Sequence, residues 1–226
     1  MTLVSCQFCR AQGECSLALT PPHWGELVQT ARVVNFRKGS VIYRQGFPAE
    51  GVFLLCRGST KLTTVSETGT ERIAAFVICG ELFGLDCLFP EPVRYLSAVA
   101  RENSQAAFVS TAQFHRALHA KPDLLWNVSL MLNDMFHRAN RDKLAISGSR
   151  VRERIESVLL DLAQRAKQFE VAGKPAFVSL TQRELAETLG VPEETICREM
   201  RSMRTGEKNK LQTKPERRSA AGVGAN

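Results

Sequence analysis

The sequence predicts an α+β chain in which an antiparallel β-roll is followed by one long helix and then a helix-turn-helix. Three observations predict it. Short runs rich in β-branched and aromatic residues fill the stretch from about Trp24 to Ala112, punctuated by Gly39, Gly46, Gly51, Gly58, Gly69, Gly80 and Gly84. From Pro122 the apolar spacing becomes helical. Near residue 181 a capped helix, a glycine and a second helix follow in order.

Taken along the chain, residues 1–22 are an arm that carries cysteines and ends in Thr20-Pro21-Pro22. Residues 23–120 hold the β-roll. Its clearest strands are Ser40–Tyr43, Gly51–Leu55, Lys61–Val65 and Arg72–Val77. Residues 121–147 are the long helix, with Leu124, Leu125, Val128, Met131, Leu132, Met135 and Phe136 on one stripe. Its stretch from Pro122 to about Ile146, some 25 residues at ~1.5 Å each, would extend about 37 Å, long enough to favour a partner helix over packing on its own roll alone. Residues 148–203 form the helix-turn-helix domain, opened by a helix bearing Val151, Ile155, Val158, Leu159, Leu162 and Ala166. Thr181 and Glu184 make a capping box, Gly190 suits a left-handed helix end, and Pro192 suits the first turn of the next helix. On that second helix Glu194, Cys197 and Arg198 share a face. Arg198 can bond a guanine edge and Glu194 can accept from a cytosine amino group, while Thr181 and Gln182 are placed for phosphates. Residues 204–226, polar and basic with a small-residue end, read as a disordered tail.

Composition narrows the function. The chain has 226 residues, 44% hydrophobic and 23% charged, with a net charge of +7. That balance excludes wholesale disorder and favours a polyanionic partner. No apolar run reaches the length of a membrane span, and no secretory leader opens the chain, which points to the cytoplasm. Seven cysteines, an odd number, suit a reducing compartment where thiols bind metal, react or lie buried. No nucleophile, paired-carboxylate or phosphate-loop pattern supports an enzyme.

Cys6, Cys9 and Cys15 form a C-x2-C-x5-C cluster that can converge on one metal centre. The spacing is neither of the two common ferredoxin runs, and zinc would want a fourth strong ligand that does not follow nearby. An iron–sulfur cluster, a zinc or thiol switch, and three incidental thiols all remain open from spacing alone.

The glycine-punctuated roll, the long helix and the helix-turn-helix together resemble the Crp/Fnr superfamily of bacterial transcription regulators, over about residues 6–203. Within it, the arm cysteines and Glu194-Thr195-Ile196-Cys197-Arg198 are similar to the oxygen-sensing Fnr branch. The resemblance implies a cyclic-nucleotide-binding-like roll and a [4Fe-4S] cluster on Cys6, Cys9 and Cys15. It further implies a homodimer through the long helix, double-stranded DNA with TTGAT-like inverted repeats as target, and room for RNA polymerase as a partner.

Three departures qualify it. The branch's fourth cluster cysteine falls at Ala107, so Cys87 becomes the first choice for that ligand and Asp86 an oxygen-donor alternative. Cys56 and Cys79 suit buried structural thiols better. Cys197 stands where the branch has serine. The β-hairpin wing that usually follows the recognition helix is apparently missing; the stretch from Arg201 carries seven basic and two acidic residues instead. A chain so shortened would, on the alternative reading, be a roll-based sensor or interaction protein without specific DNA binding. Cyclic AMP is disfavoured as effector: Leu85 occupies the nucleotide-binding glutamate position, and Arg94 lies two places before the usual arginine. Haem, with His23, His115, His119 and His137 as nominal ligands, is also disfavoured.

Overall fold

A computed structural model describes residues 31–66, 69–168, 170–171, 174–175 and 179–212. Eight strands form the roll: β1 (Arg32–Phe36), β2 (Val41–Tyr43), β3 (Gly51–Arg57), β4 (Ser59–Val65), β5 (Glu71–Ile78), β6 (Leu82–Phe83), β7 (Ser97–Ala100) and β8 (Ser104–Ser110). They make two antiparallel four-stranded sheets, ordered β1-β8-β3-β6 and β2-β7-β4-β5. A 3-10 helix, Leu85–Leu88, follows β6.

The central strands β3 and β8 are covered on both faces, which is why Val52–Cys56 reads as an unbroken apolar run rather than an alternation. Phe53, Leu55 and Ala106 face the inside of the roll with Leu62, Val77, Phe83 and Ala98. Val52, Leu54, Ala107 and Val109 face outward, where helices cover them with Phe114, Leu118, Leu124 and Val128. Glycine is required at the crossings. A Cβ on Gly51 would strike the Val109 carbonyl and the Phe108 ring, and Gly58, at φ 87°, turns β3 into β4 against Ser104.

Helix α1 (Thr111–Ala120) begins with a capping box between Ser110 and Gln113. Helix α2 (Pro122–Gly148) is the long helix, entered through proline at its first position. Its stripe divides between two faces. Leu124 and Val128 are buried on the roll and Met131 packs beside them. Leu125, Trp126, Leu130, Leu132, Met135, Phe136 and Leu144 stay exposed.

Helix α3 (Val151–Gln168), a two-strand ribbon β9 (Glu170–Val171) and β10 (Lys174–Pro175), α4 (Gln182–Leu189) and α5 (Glu193–Gln212) complete the chain. The expected disordered tail is corrected for 204–212, which continue α5. Arg, Glu, Lys, Leu and Gln there are good helix formers once a nucleus exists, and polarity alone does not oppose a helix. Residues 213–226 lie outside the described residues. No strand follows α5 among the described residues.

Candidate DNA-binding and sensor sites

The helix-turn-helix is built by local chemistry. The Thr181 hydroxyl accepts from the Glu184 N–H at 3.1 Å, and the Glu184 carboxylate accepts from the Thr181 N–H at 2.9 Å. Gly190 ends α4 in left-handed geometry, φ 68°, where its N–H and that of Val191 both bond the Ala186 carbonyl. Two apolar faces then meet: Leu185, Ala186 and Leu189 of α4 pack on Ile196 of α5 and Ile155 of α3. Burying Ile196 sets the rotation of α5. Glu194 and Arg198 are thereby exposed, with the Arg198 side chain 71% accessible, and Cys197 is half-buried beside them. Thr181 is exposed at the start of α4 and Gln182 half-buried. Burial opposes the charge on Glu184, but hydrogen bonds from Arg101 and from Thr181 outweigh it and hold its carboxyl at about 2.

Among the sensor residues, Cys6, Cys9 and Cys15 lie outside the described residues. Cys87 sits in the 3-10 helix, 0% exposed, in the same cluster as Ala107 and Ala31. Burial pushes its thiol up, against the pull of Arg94 and a hydrogen bond with Thr111. Its carbonyl meets His115 Nε2 at 2.9 Å. Asp86 is engaged by Arg94 at 3.4 Å and by the Tyr95 N–H at 3.5 Å. Cys79 is buried and donates to the Cys56 carbonyl at 2.8 Å. His119 and His137 are exposed. Among the described residues no three His, Cys, Asp or Glu side chains gather as a metal site.

A cavity of about 790 Å³ opens between the roll, α2 and α3, lined by Leu62, Phe83, Leu85, Leu96, Met131 and Arg138 among others. Arg94 is not among the lining residues. It is 3% exposed, donates to the carbonyls of Gly84 at 2.8 Å and Gly51 at 2.6 Å, and stacks 4.2 Å from the Tyr43 ring. Sequence reasoning missed this use, because only the fold brings Gly51 and Gly84 to the same guanidinium. It also missed Arg101, Glu81 and Arg165, whose partners are remote in sequence.

Two families of domain match the chain. Residues 33–121 match the cyclic nucleotide-binding domain, and residues 153–207 match the Crp-like helix-turn-helix domain. The transcriptional activator protein Anr of Pseudomonas aeruginosa is 24% identical over 173 residues, covering 76% of this chain and 70% of that protein. The cAMP-activated global transcriptional regulator CRP of Pasteurella multocida is 27% identical over 162 residues, covering 70% and 76%. The structure of FixK2 from Bradyrhizobium japonicum shares the fold at a TM-score of 0.69, with 24% identity over 79% of this chain and 86% of that one. No helix among the described residues is long and apolar enough to cross a membrane. A nucleotide-binding-type roll followed by a Crp-like helix-turn-helix, over well more than half the length, makes this chain a member of the Crp/Fnr family of DNA-binding transcription regulators.

Proposed function

We propose that the protein is a cytoplasmic, homodimeric transcription regulator of the Fnr-like kind, reading oxygen or redox state through an iron–sulfur cluster and not an enzyme. The observation that carries the DNA-binding half is the capped helix-turn-helix whose α5 exposes Glu194, Cys197 and Arg198 together. Arg198 would read guanine, Glu194 the cytosine amino group, and the half-buried Cys197 would touch a thymine methyl, in TTGAT-like inverted repeats. Thr181 and Gln182 would hold phosphates, and RNA polymerase would be the partner downstream.

The sensor half rests on the arm spacing. Cys6, Cys9 and Cys15 would hold a [4Fe-4S] cluster, whose chemistry when bound is an oxygen-labile iron–sulfur centre. Cys87 supports the fourth position because it shares a cluster with Ala107, where the Fnr branch has its own cysteine. Asp86 fits less well, since Arg94 already holds its carboxylate. Cyclic AMP has no place in this reading. With Arg94 buried on backbone carbonyls, a phosphate would lose a charge-assisted contact worth roughly 1.5–3 kcal/mol. The homodimer is supported by the exposed apolar face of α2, where Leu125, Trp126, Leu130 and Phe136 have no cover among the described residues.

The test is anaerobic purification with iron, sulfide and zinc quantified and the visible spectrum followed on admitting air. About four iron and four sulfide per chain, with absorption that collapses in air, is the expected result. Zinc alone, or no metal, overturns the sensor half and leaves the DNA-binding half standing. In Cys87→Ser, unchanged iron content would remove Cys87 from the ligand set.

A further inference from the structure

The helix-turn-helix unit joins α2 through Ser149 and Arg150 alone, yet it does not hang from that joint. Ile73, Phe76 and Ile78 of β5 share a buried cluster with Leu162 and Ala166 of α3. Complementary charges surround this contact. The roll presents Lys61, Arg72 and Arg101, and α4 presents Glu184 and Glu187. Arg101 donates through Nε and Nη2 to the two Glu184 oxygens at 2.6 and 2.9 Å, and through Nη2 to the Ser179 carbonyl at 2.6 Å. Lys61 Nζ lies 3.5 Å from Glu187. The Arg72 guanidinium covers Gly190, where any Cβ would strike it. On the other side Arg165 Nη1 donates to both Glu81 oxygens, at 2.7 and 2.9 Å, and to the Phe76 carbonyl at 3.1 Å.

These pairs differ from ordinary surface ion pairs. The side chains of Arg101 and Glu184 are 10% and 15% exposed, those of Arg165 and Glu81 14% and 17%. Little solvent screens them, and the Arg101 pair is two-pronged, which fixes direction as well as distance. Glu81 also accepts from the Ile78 N–H at 3.0 Å and has Arg138 of α2 at 3.9 Å, so one carboxylate joins roll, long helix and DNA-binding domain. Glu194 and Arg198 stand outside these pairs and remain exposed while the unit is docked, and Thr181, which bonds Glu184 through the capping box, is exposed as well.

We propose that Arg101 and Glu81 are positioning residues for DNA recognition, holding the helix-turn-helix on the roll, through Glu184 and Arg165, in its DNA-binding orientation. Twofold recognition needs two reading helices held about one DNA turn, ~34 Å, apart. Rotation about a two-residue joint would scatter them, and orientation set in advance removes that ordering cost from binding. The inference rests on the family-level DNA binding and not on the iron–sulfur cluster.

The experiment uses the full chain, kept anaerobic, and a duplex that the wild type selects from a random-sequence pool. Arg101→Ala, Glu184→Gln and their double variant are compared, glutamine being chosen because it can keep the capping box. Glu81→Gln probes the second pair. Each single change is expected to weaken specific binding by roughly tenfold, the size of one lost charge-assisted hydrogen bond, and the double by no more than the weaker single. Without DNA, amides of β5 and α4 should exchange faster together while β3 and β8 keep their protection. Wild-type affinity in the variants, tighter binding, or losses that add would overturn the proposal. If the wild type selects no duplex, the family-level reading fails first and this one with it. Selection followed by indifferent variants sinks only the positioning role.

Discussion

Arg198 and Arg94 show how differently one residue type can be used in this chain. Arg198 is open to solvent with Glu199 4.0 Å away as its nearest ion-pair partner, so its guanidinium is available to a base edge. Arg94 is enclosed by carbonyls and the Tyr43 ring. Arg198→Ala should therefore cost about 1–3 kcal/mol of specific DNA binding and relax preference at one base pair, with little change in nonspecific binding. Competition titrations against single-base variants of the selected site check it. Glu184 supplies a second residue-scale prediction, on pH. Its carboxyl is held at about 2 against an ordinary 4.5, so the unfolded chain binds its proton first on acidification. The stabilisation it contributes is complete above about 4.5 and is lost as the pH falls towards 2. Acid unfolding followed by circular dichroism should be less steep across that window in Glu184→Gln. A wild-type curve in the variant would show that the carboxylate has no such linkage.

Helix α2 is an element with two faces that answer to different partners. Leu124, Val128 and Met131 complete the roll's outer cluster, whereas Trp126, Leu130 and Phe136 face solvent with exposures of 67%, 50% and 63%. On the proposed homodimer, Leu130→Glu should leave the roll folded and yield a monomer, because a charge on that face has no route into the chain's own core. Sedimentation velocity of variant and wild type reads the outcome; an unchanged dimer would move the interface off this face. The stripe Leu124 to Phe136 was legible in the sequence because 3.6-residue spacing is local. The split between its faces was not, because it depends on where β3 and β8 lie. Helix α5 taught the opposite lesson. Residues 204–212 look like a polar tail by composition, but a helix already nucleated on Ile196 extends through Arg, Lys, Glu and Gln at little cost.

At the scale of the whole molecule, roll and helix-turn-helix share a buried cluster as well as a chain. Leu162 of α3, 4% exposed, packs against Ile73, Phe76 and Ile78 of β5. Leu162→Ala should cost about 2–4 kcal/mol and divide a single calorimetric transition into two, since the docking is what makes the units cooperative. A single transition at a lower midpoint would show that the helix-turn-helix has no independent stability. The sequence by itself determined the order of roll, long helix and helix-turn-helix, the capping box at Thr181, the turn at Gly190 and the face shared by Glu194, Cys197 and Arg198. These depend on spacings of one to four residues, and backbone geometry converts such spacings directly into structure. Only the tertiary structure decided that Cys87 shares a buried cluster with Ala107, that Arg94 donates to Gly51 and Gly84, and that Arg101 grips Glu184. Those partners are separated by 10 to 83 positions along the chain. Their pairing is set by which strands cross and which helix covers them, and no local periodicity encodes that.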